Sequence, residues 1–228
     1  MPRKESIFTP ETFRFFKELD RNNKKTWMDA NRERYHETVV QPFRRFLDVL
    51  APEVLGLDGR FDTTGRTGAN FSRINRDIRF AKDKTPYRAQ MYVKFSVPFV
   101  GEGETGQLYV GLSKNSVTAG FRVYGGSKRK LSALGMIADP HVAEKPKWIA
   151  QQKKRLGTRY QSYWYSTEKG GWHQRAGWPS AEEFARVHGW IVRKKLTQTQ
   201  ATRAAFPANC LKVFRDVYPL LQFTCCSD

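Results

Sequence analysis

Four segments rich in β-branched and aromatic residues follow one another between residues 71 and 124. They are FSRINRDIRF, AQMYVKFSVPF, GQLYVGLS and SVTAGFRVYG, and they are separated by KDKTPY, GEGETG and KN. Parallel neighbours need a crossover of a dozen or more residues, usually a helix, and none of these connections is long enough. The spacing therefore predicts a four-stranded, largely antiparallel sheet over 71–124. The first segment carries a second signal, because Phe71, Ile74, Ile78 and Ala81 also fit a helical period. Its length and composition favour the strand. Gly101, Gly103 and Gly106 make a G-x-G-x-x-G string, but it lies between two strands and contains Glu102 and Glu104. A phosphate cradle opens a helix and avoids acids, so the string reads as a hairpin turn.

Helical patterns flank the sheet. Thr9-Pro10 opens a helix with Phe13, Phe16 and Leu19 on its apolar side, and Asp20-Arg21-Asn22-Asn23 ends it. A second helix is expected from about Thr26 to Val40, with Trp27, Ala30, Arg34 and Tyr35 on one side. Pro42 begins a third, carrying Phe43, Phe46, Leu47 and Leu50. Residues 56–70 hold four glycines and no apolar period, and read as a loop. Beyond the sheet, Ser127 caps a helix, and another covers roughly 143–156. Residues 159–178 form an aromatic hairpin turning at Lys169-Gly170-Gly171. Ser180 with Glu183 is a capping box for a helix through about Val187. GWIVRKKL is a short strand, and a last helix follows Pro207. The expected architecture is α+β: one compact domain over 1–228, helical over 8–50, a sheet over 71–124, and mixed but mostly helical over 127–226.

Charge narrows the partners. The 228 residues hold 40 Lys and Arg against 22 Asp and Glu, a formal charge of +18. Residues 122–228 carry +12 of it and residues 1–121 carry +6. Such a field attracts anionic ligands and nucleic acid. Aromatics at 14% argue against a disordered chain. No apolar run approaches a membrane span and no secretory signal opens the chain, so no membrane partner is expected. Cys210, Cys225 and Cys226 make neither a disulfide framework nor a zinc pattern, and the expectation is reduced thiols in the cytoplasm. His36, His141, His173 and His188 fall in separate segments, so neither a metal nor a cofactor is expected. Oligomeric state leaves no signal.

The sixteen-residue stretch Arg73–Arg88 packs six cations and two carboxylates, and closes on Pro86, Tyr87 and Arg88. On a strand, Ile74, Arg76, Ile78 and Phe80 share one face, and Arg73, Asn75, Asp77 and Arg79 the other. Arg76 then stands alone on the apolar face and needs a carboxylate or an anion. Asp77 lies between Arg73 and Arg79 and neutralises one of them at most. Three readings follow. Arg73, Arg76, Arg79, Lys82, Lys84 and Tyr87 build a pocket for a phosphate-bearing ligand or nucleic acid. Alternatively, Asp77 and Asp83 are catalytic carboxylates of a metal-assisted phosphoester hydrolase. In the third, the motif is an ion-pair lock in a structural or partner-binding protein. Arg34, Asn23 and Trp27, from the N-terminal helices, are candidates for the opposite wall of the same site.

The string RDIRFAKDKTPY, together with FTPETFRFFKELDRNNKKTWMDANRERY upstream, resembles the bacterial conserved hypothetical family catalogued as domain of unknown function 2461. The matching positions are Asn22, Asn23, Trp27, Arg34, Tyr35, Arg76, Asp77, Arg79, Phe80, Lys82, Asp83, Lys84, Pro86 and Tyr87. Met28, Asn75 and Ala81 depart from the family's usual pattern. The resemblance implies which residues matter and points to no particular chemistry. Tyr160, Tyr163, Trp164, Tyr165, Trp172 and Trp178, interleaved with basic residues, read either as cross-strand packing or as a base-stacking surface.

Overall fold

A computed structural model describes residues 5–97, 106–125, 145–168 and 171–224. The expected helix after Ser127, all but the last residue of the expected GEGETG turn, and the expected tip of the aromatic hairpin lie outside the described residues. Among the described residues six strands hydrogen-bond in one antiparallel sheet with helices before and after it in sequence, an α+β fold. They are β1 (Gln90–Ser96), β2 (Gln107–Ser113), β3 (Val117–Tyr124), β4 (Gln161–Glu168), β5 (Gly171–Ala176) and β6 (Gly189–Leu196). Their order in the sheet is β1-β2-β3-β6-β4-β5. Two compact units can be recognised, one of residues 1–95, 110–118 and 196–211, the other of residues 96–109, 119–195 and 212–228.

In the first unit, α1 spans Pro10–Arg21 and buries Thr12, Phe13, Phe15, Phe16 and Leu19. Thr9 stands at its N-cap in extended backbone, and Pro10 occupies the first turn, where a missing N–H costs nothing. The second expected helix is broken at Asn31, between α2 (Lys25–Ala30) and α3 (Arg32–Tyr35). No break occurs where Pro42 suggested one. The helix runs from α3 through a π-helical turn, His36–Val40, into α4, Gln41–Leu57. Proline cannot donate to the carbonyl four residues back, here that of Thr38. The Thr12 hydroxyl of α1 donates to that carbonyl instead, at 2.7 Å. Phe8, Phe43, Phe46 and Phe206 close the core beside these helices, with ring centroids 5.1 to 5.9 Å apart.

Residues 71–80 do not form the expected strand. Phe71 bridges Val93 on β1, and the chain then leaves the sheet and folds back on itself through a bridge between Asn75 and Tyr87. Asn70, 1% exposed, holds this departure in place. Its side chain accepts from the Gly65 N–H and donates to the carbonyls of Asp62 and Lys94. The alternation of faces survives without the ladder: Ile74, Arg76 and Ile78 are half-buried, whereas Arg73, Asn75, Asp77 and Arg79 are exposed. Phe80 breaks the pattern at 94% exposure, because the chain has already turned.

In the second unit, the aromatic hairpin forms as expected, with Trp164 opposite Arg175 and Thr167 opposite Trp172. It joins the main sheet through β6, where Trp164 pairs with Trp190. Trp190 packs on Phe121 and Trp178. Tyr165 and Trp172 pack against Tyr124 and each other, and Tyr163 packs on Tyr165. A Cβ on Gly120 would lie 2.2 Å from the Val192 carbonyl, so β3 and β6 require glycine there. The capping box at Ser180 and Glu183 is present, but its helix stops at Phe184. Flanking elements are α5 (Lys145–Leu156), α6 (Ala181–Phe184), α7 (Gln198–Ala201) and α8 (Phe206–Thr224). No helix among the described residues is long and apolar enough to cross a membrane.

Candidate functional site

The motif is a closed loop. The Arg76 N–H donates to the Pro86 carbonyl and the Arg88 N–H to the Ile74 carbonyl, both at 2.8 Å. These bonds face inward across the Asn75–Tyr87 bridge and leave the N–H and carbonyl of Tyr87 pointing outward. Asn23, in the turn between α1 and α2, takes both. Its amide donates to the Tyr87 carbonyl at 2.9 Å and its carbonyl oxygen accepts from the Tyr87 N–H at 3.0 Å. A side-chain amide thus stands where a further strand would pair.

Inside the loop most charges are spent on its shape. Asp77 accepts from the backbone and guanidinium of Arg79. Asp83 accepts from the N–H and hydroxyl of Thr85 and pairs with Arg76 at 2.5 Å. Arg76 also donates to the Thr85 hydroxyl. Lys84 donates to the carbonyls of Ile78 and Arg79. The Arg76 guanidinium, followed by the bonds from Thr85, holds the Asp83 carboxyl down to about 2. Arg79 does the same to Asp77 in direction. Both carboxylates are therefore ionised at neutral pH and committed to arginine. Among the described residues no group of three His, Cys, Asp or Glu side chains is placed to hold a metal ion.

Beside the loop opens a polar cleft of about 440 Å³. Arg76, Asp83, Thr85, Tyr87 and Arg88 line one side; Asp20 and Asn23 come from α1 and the turn after it, and Ser113, Lys114 and Asn115 from the β2–β3 turn. Lys114 pairs with Asp20 at 2.5 Å. Arg88 is exposed and pairs with no carboxylate among the described residues. The cleft thus holds three cations against two carboxylates and carries one uncompensated positive charge.

The expected site residues divide accordingly. Arg76, Tyr87 and Asn23 meet at the cleft. Arg73 turns to a different pocket, lined also by His36 and Arg44. Arg79, Lys82 and Lys84 are exposed on the loop and do not line the cleft. Arg34 is bound to α1, donating to Glu11 and Glu18 and lying over the Phe15 ring. That contact holds the Glu18 carboxyl below its ordinary value. Trp27 packs on Phe15. Of the three candidates for an opposite wall, Asn23 is the one that lines the cleft. Sequence reasoning missed Arg88, Lys114 and Asp20. Arg88 directly follows the Tyr87 it singled out, whereas Lys114 is 94 residues from Asp20 and no local pattern joins them.

The chain's sequence was compared with those of known proteins. No curated protein matches it. The pattern of one family, described as conserved hypothetical protein (DUF2461), matches residues 11–223. That range spans the N-terminal helices, the motif loop, the whole sheet and most of α8, so the chain belongs to the conserved hypothetical family of domain of unknown function 2461.

Proposed function

We propose that the protein is a binding module for a small phosphate-bearing ligand, held in the polar cleft beside the motif loop. The observation that carries this reading is Arg88, a guanidinium without a carboxylate partner among the described residues, in one cleft with Arg76 and Lys114. A volume of about 440 Å³ lies within the usual range for small-ligand sites. Arg88 offers a planar fork to phosphate, and Arg76 and Lys114 raise the local potential. Asp20 and Asp83 offset two of the three cations, so the cleft suits one phosphate group. A polyanion would need a row of free cations. The Asn23 clamp fixes Tyr87, and with it the backbone that carries Arg88.

Thermal melts in graded phosphate test this. A ligand that binds the folded state raises stability with the logarithm of its concentration. The wild-type melting temperature should climb with phosphate, Arg88→Gln should abolish the climb, and Arg79→Gln should leave it intact. A parallel titration with single- and double-stranded oligonucleotides distinguishes the nucleic-acid alternative. Tight binding with a steep negative salt slope there, and no response to phosphate, would replace the small ligand by nucleic acid.

A further inference from the structure

A second pocket, separate in lining from the polar cleft, lies where the motif leaves the sheet and faces the helix at its π-helical turn. It has a volume of about 360 Å³ and is lined by Tyr35, His36, Val40 and Arg44 on the helix side and by Thr67 and 71–75 with Met91 on the other. The π-helical turn sits at His36–Val40, in the middle of the helical wall, and such turns recur at functional sites. His36, Val40 and Arg44 follow one another at four-residue intervals and so share a face.

The lining has a definite chemistry. Val40, Phe71, Ile74 and Met91 supply an apolar surface. Arg44 and Arg73 bring two guanidinia, and no aspartate or glutamate lines the pocket. Neither arginine has an ion-pair partner among the described residues. The Tyr35 hydroxyl likewise makes no hydrogen bond among them, although the residue is 8% exposed. An apolar surface bounded by two uncompensated guanidinia and a free hydroxyl matches an amphipathic anion. Inorganic phosphate alone would leave the apolar surface wet, and a neutral hydrocarbon would leave the arginines unanswered.

We infer that this pocket binds a small organic anion, a carboxylate or phosphate monoester on a compact apolar body, with Arg44 and Arg73 holding the head and Phe71, Ile74 and Met91 the body. This is independent of the polar cleft, which shares none of its lining.

Methionine methyl NMR tests it on the full chain. Four methionines give a readable spectrum, in which Met91 lines the pocket and Met28, 1% exposed within α2, serves as the internal reference. The probes are phenylacetate and phenylphosphate, with phenethyl alcohol as the uncharged control and acetate as the control without a body. Either anion should shift the Met91 methyl saturably, and neither control should. Arg73→Gln and Arg44→Gln should each weaken that binding about tenfold, the worth of one charge-assisted hydrogen bond. Arg88→Gln should leave it unchanged. Both arginines are exposed, and an unshifted Met28 signal reports that each variant is folded. The inference is overturned if neither anion moves Met91, if the alcohol moves it equally, or if both glutamine variants bind as wild type. It is also overturned if Arg88→Gln abolishes the shift, which would assign the anion to the cleft. A flat Met91 beside an intact phosphate response at Arg88 would end this inference and leave the cleft standing.

Discussion

Asn23→Ala removes the clamp that joins the α1–α2 turn to the motif loop. Two hydrogen bonds are lost, at 2.9 and 3.0 Å, and both partners are backbone groups of Tyr87, a residue 9% exposed. A net hydrogen bond is worth about 1 kcal/mol, and a stranded, part-buried backbone group costs somewhat more. The expected loss is therefore about 2 kcal/mol. For a chain of this length that lowers the melting temperature by about 4–8 °C. Urea unfolding supplies the free energy. Hydrogen exchange supplies the specific reading, because the Tyr87 amide should lose protection while the amides of α1 keep theirs. The variant should also bind phosphate more weakly, since Arg88 follows directly on the freed residue. A loss below about 0.5 kcal/mol, the range of an ordinary surface substitution, with the Tyr87 amide still protected, would refute the clamp.

Other outcomes follow from the same geometry. Gly120→Ala should cost at least the upper end of about 1–3 kcal/mol, because its Cβ meets backbone atoms of β6 at 2.2 and 2.6 Å, and thermal melts read this directly. Arg34→Met should flatten the acid limb of the stability curve. Arg34 lowers the Glu18 carboxyl, so that group's contribution is complete above its ordinary value of 4.5 and lost as pH falls through the lowered one. Comparing wild type and variant by urea titration between neutral pH and pH 3 checks it. In a Cys225→Ser, Cys226→Ser background, the Cys210 thiol should react with a thiol reagent no faster than the protein unfolds. It is fully buried, and burial pushes its ionisation well up.

Much of the fold was legible because period and turn chemistry are local. β1, β2 and β3 follow from short connections and β-rich composition, and the aromatic hairpin follows from its glycine pair. The strand over 71–80 failed for a reason the residues also contain. Asp77 and Asp83 each stand two residues before a group they bind, Arg79 and Thr85, and such short side chains favour turns over ladders. The uninterrupted helix past Pro42 depends on Thr12, 26 residues away from the carbonyl it satisfies. The insertion of β6 between β3 and β4 depends on long-range pairing in the same way. At the site, the need of Arg76 for a carboxylate was legible from charge alone, and Asp83 meets it. That Arg73 and Arg76 face different pockets, and that Lys114 and Asp20 join one of them, is decided by chain reversal and by the β2–β3 turn. A sequence window does not contain either.

The most direct measurement is isothermal titration of inorganic phosphate into wild-type protein and Arg88→Gln at low and moderate ionic strength. Saturable one-site binding to the wild type is expected, weakened by salt, with no measurable heat of binding for Arg88→Gln. The same affinity in both proteins, or no binding to wild type at either salt, would contradict the assignment of the polar cleft as an anion site.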